Sequence, residues 1–231
     1  MERLRVFLLG ILAGMSIAFG GAAFVACAYY GNRILGSILF SCGLLLVCAF
    51  KFKLYTGQIG KVFEHDKSFI IDLLVMLCGN FVGAVCVGLL ASLINPNDTY
   101  AEVNKAVGLS KLVDFAGGSV SWYQLLIQSL FCGMLVYLGV EVYNFGKDNV
   151  TKVLGIILAV AVFVVSGYSH CVANMYYMSA SRLIFEHFGG FLLSLLISII
   201  GNSIGAIIIN LLFRFGFNNK KEKMEEGSKN E

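Results

Sequence analysis

Few side chains in this sequence can do chemistry, and one stands apart. His170, within Ser166-Gly167-Tyr168-Ser169-His170-Cys171-Val172-Ala173-Asn174, is the only histidine deep in an apolar stretch, whereas His65 and His187 lie at loops. An ionisable group at such depth is rare and usually functional. Its titration could let its charge follow an arriving anion. The plainer reading is a neutral imidazole bonded to a carbonyl of its own helix. Thr56 offers a hydroxyl that either donates to an anion or caps the helix that follows, the commoner task of such a residue. Gly57 beside it lets the backbone turn or approach a ligand closely. Lys51 and Lys53 are the only lysines inside an apolar stretch. They either line an anion-attracting vestibule, Lys53 above all, or snorkel to the membrane surface.

The remaining reactive residue types assemble into nothing comparable. The carboxylates Asp72 and Glu141 sit near the ends of apolar runs, and no nucleophile stands beside a base. A metal or haem would need a second ligand to join His170, which the sequence does not offer. The seven cysteines all fall in apolar runs without a Cys-x-x-Cys pair, so they read as small hydrophobes. The expectation is a protein that is not an enzyme, with no cofactor, metal or disulfide.

The elements that must position these residues are membrane spans. Of 231 residues, 58% are hydrophobic and 13% charged, against about 45–50% and about 25% in soluble domains. A helix needs roughly 20 apolar residues to cross the bilayer. Six stretches meet or approach that: Val6–Tyr30, Ile34–Phe50 (continuing to about Gly60), Ser68–Ile94, Ser121–Asn144, Val153–Met178 and Phe188–Phe213. The expected fold is an all-α membrane protein with a channel domain over 1–217 and a charged cytoplasmic tail without regular structure over 218–231. Basic residues set its orientation. Arg3, Arg5, Lys61, Lys67, Lys147, Lys152, Arg214, Lys220, Lys221, Lys223 and Lys229 gather on one side, against Arg33, Lys105, Lys111 and Arg182 on the other. Both termini are therefore expected in the cytoplasm, with the chain in the cell membrane. The net charge of +3 is accounted for by the tail and inner loops and calls for no nucleic-acid partner.

The spans repeat. Gly79-Asn80-Phe81-Val82-Gly83-Ala84-Val85 in the third is echoed by Gly201-Asn202-Ser203-Ile204-Gly205-Ala206-Ile207 in the sixth. Gly14-Met15-Ser16-Ile17-Ala18-Phe19-Gly20 in the first is echoed by Gly133-Met134-Leu135-Val136-Tyr137-Leu138-Gly139 in the fourth. Three spans per half is an odd number, so the halves enter the membrane from opposite sides. Such inverted repeats put a transport site at the midplane, formed by helices broken at corresponding positions. Breaks are expected at Lys51–Gly60 and at Ser166–Asn174. Unwound backbone at membrane depth survives only where it lines a cavity or is buried in protein, so both breaks point to a pore.

Leu54-Tyr55-Thr56-Gly57, the two Gly-Asn-x-x-Gly motifs, Trp122 followed by Cys132, and Gly-Tyr-Ser-His-Cys-Val-Ala-Asn-Met in the fifth span resemble, in order, the formate/nitrite transporter family. The resemblance covers nearly the whole chain. It implies an aquaporin-like protomer in a homopentamer, each protomer with its own pore. The substrates it implies are small monovalent anions or their weak acids, of the formate, nitrite, hydrosulfide, acetate or lactate class, with a proton as possible partner. It makes His170 the central histidine and Thr56 the threonine of the second span's loop, and it groups Gly57 and Asn174 with them as pore-lining. Its apolar constrictions fall on Leu44, Leu54 and Phe163, with Phe40 a weaker match. An apolar ring makes a bare anion shed its hydration at high cost, and protonation near the histidine would remove that cost.

The chain departs from the family pattern in five places. Ser169 and Lys53 replace glutamates, Gly117 falls where a lysine draws anions inward, and Gly133 replaces an asparagine that bonds the histidine. The long amphipathic segment ahead of the first span is almost absent. With that lysine gone, an aquaporin-like pore for a small neutral solute is the alternative reading.

Overall fold

The computed structural model describes the backbone of residues 2–94 and 97–228, with side chains to residue 216. Three helices are long and apolar enough to cross a bilayer over their whole length: α1 (Glu2–Tyr29), α4 (Ser68–Leu93) and α6 (Trp122–Phe145). A fourth, α10 (Phe188–Ser228), crosses with its apolar part, Phe188–Gly216. At about 1.5 Å per residue, even the 24 residues of α6 exceed the roughly 30 Å of hydrocarbon. The other two spans are broken. The 17-residue helices α2 (Arg33–Ala49) and α7 (Asn149–Val165) stop short. After each break the chain resumes, as α3 (Tyr55–Gln58) running into a 3₁₀ stretch over Ile59–Glu64, and as α8 (Cys171–Ala180). The surface helices α5 (Asp98–Leu109) and α9 (Leu183–Glu186) complete the set. Among the described residues no strand forms. The protein is an all-α membrane fold of six spans in two inverted halves.

The two breaks are tied down by the same set of bonds, which gives the repeat its physical content. In the first, Asn80 accepts from the backbone N–H of Tyr55 (2.9 Å) and donates to the carbonyls of Lys53 (2.8 Å) and Gly10 (2.9 Å). In the second, Asn202 accepts from Cys171 N–H (2.8 Å) and donates to Ser169 (2.9 Å) and Ser129 (2.7 Å). Each asparagine is fully buried and supplies the partners that a broken helix leaves wanting, which the membrane interior cannot. Each also needs a glycine opposite. A Cβ on Gly14 would come within 2.2 Å of the Asn80 carbonyl oxygen, and one on Gly133 within 2.1 Å of that of Asn202. The paired glycine and asparagine motifs are thus one device used twice: glycine admits the helix, and asparagine ties down the break.

Both breaks are shorter than their sequence segments. The helix resumes at Tyr55 and at Cys171, because the two asparagines restore backbone partners within one turn. The charged tail also differs from expectation. Through Ser228 it continues α10, as its Lys-Lys-Glu-Lys-Met-Glu-Glu run favours, and its last three residues lie outside the described ones.

Candidate functional site

The N-terminal ends of the two resumed helices meet in the interior, and they bring His170 and Thr56 together. Both are buried, at 2% and 0% exposure, and the imidazole Nε2 lies 2.8 Å from Thr56 Oγ1. His170 is also the N-cap of α8, its Nδ1 accepting from the backbone N–H of Ala173 at 3.2 Å. An amide N–H can only donate, so Nδ1 is the unprotonated nitrogen and the proton sits on Nε2, donated to Thr56. The Thr56 hydroxyl then accepts from the imidazole and keeps its own hydrogen to donate elsewhere. The imidazole therefore bonds an N–H of its own helix, not the carbonyl of the plainer reading. Thr56 does not cap α3 either; Leu54 holds that position without a side-chain bond. Gly57 follows it, packed against Val140.

On one side of this pair lies a chamber of about 190 Å³. Phe40 and Phe163 meet edge to face along its wall, ring centres 5.7 Å apart, and Phe163 stacks on the His170 ring at 6.1 Å. Leu44 and Leu54 are buried in the same apolar cluster. Asn174, one turn beyond His170, borders the chamber and donates to Ser198 Oγ at 3.1 Å, while its Oδ1 is buried without a partner.

The chamber is not without a lysine. Lys111 and Arg33 both border it. Lys111 is 8% exposed, and its ammonium donates to the carbonyl of Gly167 at 2.8 Å. It lies in the connection between α5 and α6, outside the spanning helices, where burial pushes its pKa down to about 8. Gly117, which stands in the lysine position of the family pattern, lies at the end of a 3₁₀ turn against the His187 ring instead. Lys111 is brought to the chamber by a loop that doubles on itself ahead of α6, Gly118 and Ser119 bonding back to Val113 and Leu109. The one sequence signal was a lysine set within Leu109-Ser110-Lys111-Leu112-Val113.

Beyond Leu54, on the other side, a second chamber of about 130 Å³ is bordered by Lys51, Lys53, Leu54, Gly57, Gln58 and Asn144. Asn144 donates to the buried Glu141, which is paired with Lys61 at 2.8 Å. That carboxylate is thereby neutralised rather than free for acid–base work. Among the described residues no group of histidine, cysteine and acidic side chains could hold a metal.

A model of the formate/nitrite transporter family matches residues 1–216. The chain belongs to that family. Among curated members, an uncharacterized transporter of Bacillus subtilis, YrhG, is 27% identical, with 98% of this chain and 92% of the relative covered. The formate channel FocA of Haemophilus influenzae is 27% identical, over 79% of this chain and 68% of its own. A solved pentameric formate channel with formate bound shares the fold, with a TM-score of 0.75 and 24% identity over 94% of this chain and 96% of the other. The formate/nitrite transporter family is one of transporters and channels, not enzymes. Against its pattern, Gly133 has a steric reason, since a side chain there would strike Asn202. The histidine takes its bonds from Thr56 and Ala173 instead. Ser169, in place of a glutamate, is buried and donates weakly to Gln128 at 3.3 Å.

Proposed function

We propose that this protein is a channel for small monovalent anions of the formate, nitrite and hydrosulfide class, or their conjugate acids. The observation that carries this reading is the His170–Thr56 pair, closed off by apolar residues and set between two chambers that each hold basic side chains. Lys111 and Arg33 raise the local concentration of anions at one mouth, as positive charge at a low-dielectric cleft does. Phe40, Phe163, Leu44 and Leu54 exclude water, so an anion sheds hydration to advance. Thr56 and Asn174 replace part of that hydration with hydrogen bonds, and Gly57 leaves room for the ion beside the loop.

His170 governs the proton. In its resting tautomer Nε2 carries hydrogen toward Thr56 and Nδ1 is held by Ala173. Passing a proton to the ion or taking one up requires the ring to shift one of these bonds, so protonation and passage are coupled at one residue. A weak acid formed there crosses the apolar rings without the full charge penalty. We further infer a homopentamer with one pore per protomer, seated in the cell membrane with both termini in the cytoplasm, where eleven of the fifteen basic residues outside the spans gather.

Purified protein in liposomes tests this. Vesicles should take up formate, nitrite or hydrosulfide far faster than glycerol or urea. Fast urea or glycerol uptake with no anion flux would instead make this an aquaporin-like pore for neutral solutes.

A further inference from the structure

Lys51 holds a backbone conformation that lysine rarely adopts, and the inverted repeat explains what it does there. The turn that ends α2 and the turn that ends α7 are the same structure. Phe50, Lys51 and Phe52 N–H groups return to Leu46, Cys48 and Val47 at 3.0, 3.3 and 2.9 Å. Ser166, Gly167 and Tyr168 return to Val162, Val164 and Phe163 at 3.1, 3.0 and 2.9 Å. The middle residue of each turn is left-handed, with φ of 56° at Lys51 and 73° at Gly167. Glycine is the usual residue at such a helix end. One half of this chain uses it, and the other half uses lysine against the steric preference.

The charge at this turn is also repeated. At the second turn it comes from outside, because the Lys111 ammonium is bonded to the Gly167 carbonyl at the wall of the first chamber. At the first turn the turn residue itself is the lysine, and it borders the second chamber beside Lys53. Related positions at the two ends of the pore therefore each hold an ammonium, reached by two different routes. Non-glycine residues held in such sparsely populated conformations cluster at ligand-handling sites.

We propose that Lys51, with Lys53, forms a second anion-collecting station at the Leu54 end of the pore, matching Lys111 at the other. The ligand class is the small monovalent anion of the pore, so this rests on the function proposed above. Lys51 is exposed, and a unit charge about 7 Å from an ion's path in a water-like dielectric shifts local ion concentration roughly threefold. The contribution falls as added salt screens it.

Substitution of Lys51 by glycine sets backbone and charge against each other. Lys51→Gly relieves the left-handed strain, so its thermal unfolding in detergent should occur at or above the wild-type temperature. Its anion uptake in liposomes, at low ionic strength and subsaturating anion, should nonetheless fall roughly threefold. The deficit should shrink at high salt, and Lys51→Arg should keep wild-type uptake. If Lys51→Gly is at least as stable and transports like wild type at low salt, Lys51 is a strained bystander and the proposal fails alone. If wild type itself passes urea but no anion, the reading of the pore fails and takes this one with it.

Discussion

Thr56 was legible in the sequence as a hydroxyl on a broken span, but its partner was not. That the hydroxyl meets His170, 114 positions away, depends on how two halves cross, which no local pattern encodes. The bond makes a clear prediction. Thr56→Val keeps the shape but leaves the imidazole Nε2–H without an acceptor, at a cost of about 1–3 kcal/mol for a buried unsatisfied donor. Unfolding temperature should drop and anion flux should fall, while Thr56→Ser should restore both. Equal behaviour of the valine variant and wild type would remove Thr56 from the site.

Lys111 was the residue that sequence reasoning overlooked, since its place at the chamber depends on a loop that folds back to the end of α7. Its pKa near 8 means that the ammonium is charged at neutral pH and loses its charge as pH rises through about 8. Attraction of anions is thus present below that pH and fades above it. Lys111→Arg stays charged throughout, so the ratio of variant to wild-type uptake should climb above about pH 8. A ratio constant across that range would mean that Lys111 does not contribute charge to the pore.

Among the elements, the six spans and the two breaks were readable because apolar length and the glycine–asparagine repeats are local signals. Break lengths were not, because each depends on an asparagine from another helix restoring backbone partners. Asn202→Ala removes three bonds and leaves Cys171 N–H and Ser169 C=O buried. Stability should fall by about 3 kcal/mol, read as a lowered unfolding temperature in detergent, and Asn80→Ala should behave alike. A tolerated alanine at both sites would mean that the breaks hold themselves.

The ring pair of Phe40 and Phe163 also belongs to the scale of elements, since it joins α2 to α7. Phe163→Ala should leave a protein that assembles but discriminates less by size, with acetate and lactate uptake rising relative to formate. Unchanged selectivity would put the constriction elsewhere.

For the molecule as a whole, the family was readable from motifs spread along the chain, and the fold follows from the repeat. The choice of Gly133 and Lys51 was not readable, because Gly133 answers to Asn202 on another helix of its own half and Lys51 to a turn whose counterpart lies in the other half. All of these features converge on one claim, that a proton-bearing histidine between two basic chambers controls the passage of small anions. Formate uptake into proteoliposomes by wild type and His170→Asn, followed across the mildly acidic to neutral range, tests it most directly. Asparagine is itself a good N-cap, so α8 should still start in place and the comparison isolates titration. The account predicts a steep pH dependence in wild type and a lower, flattened one in the variant. Identical rates and identical pH profiles would contradict it.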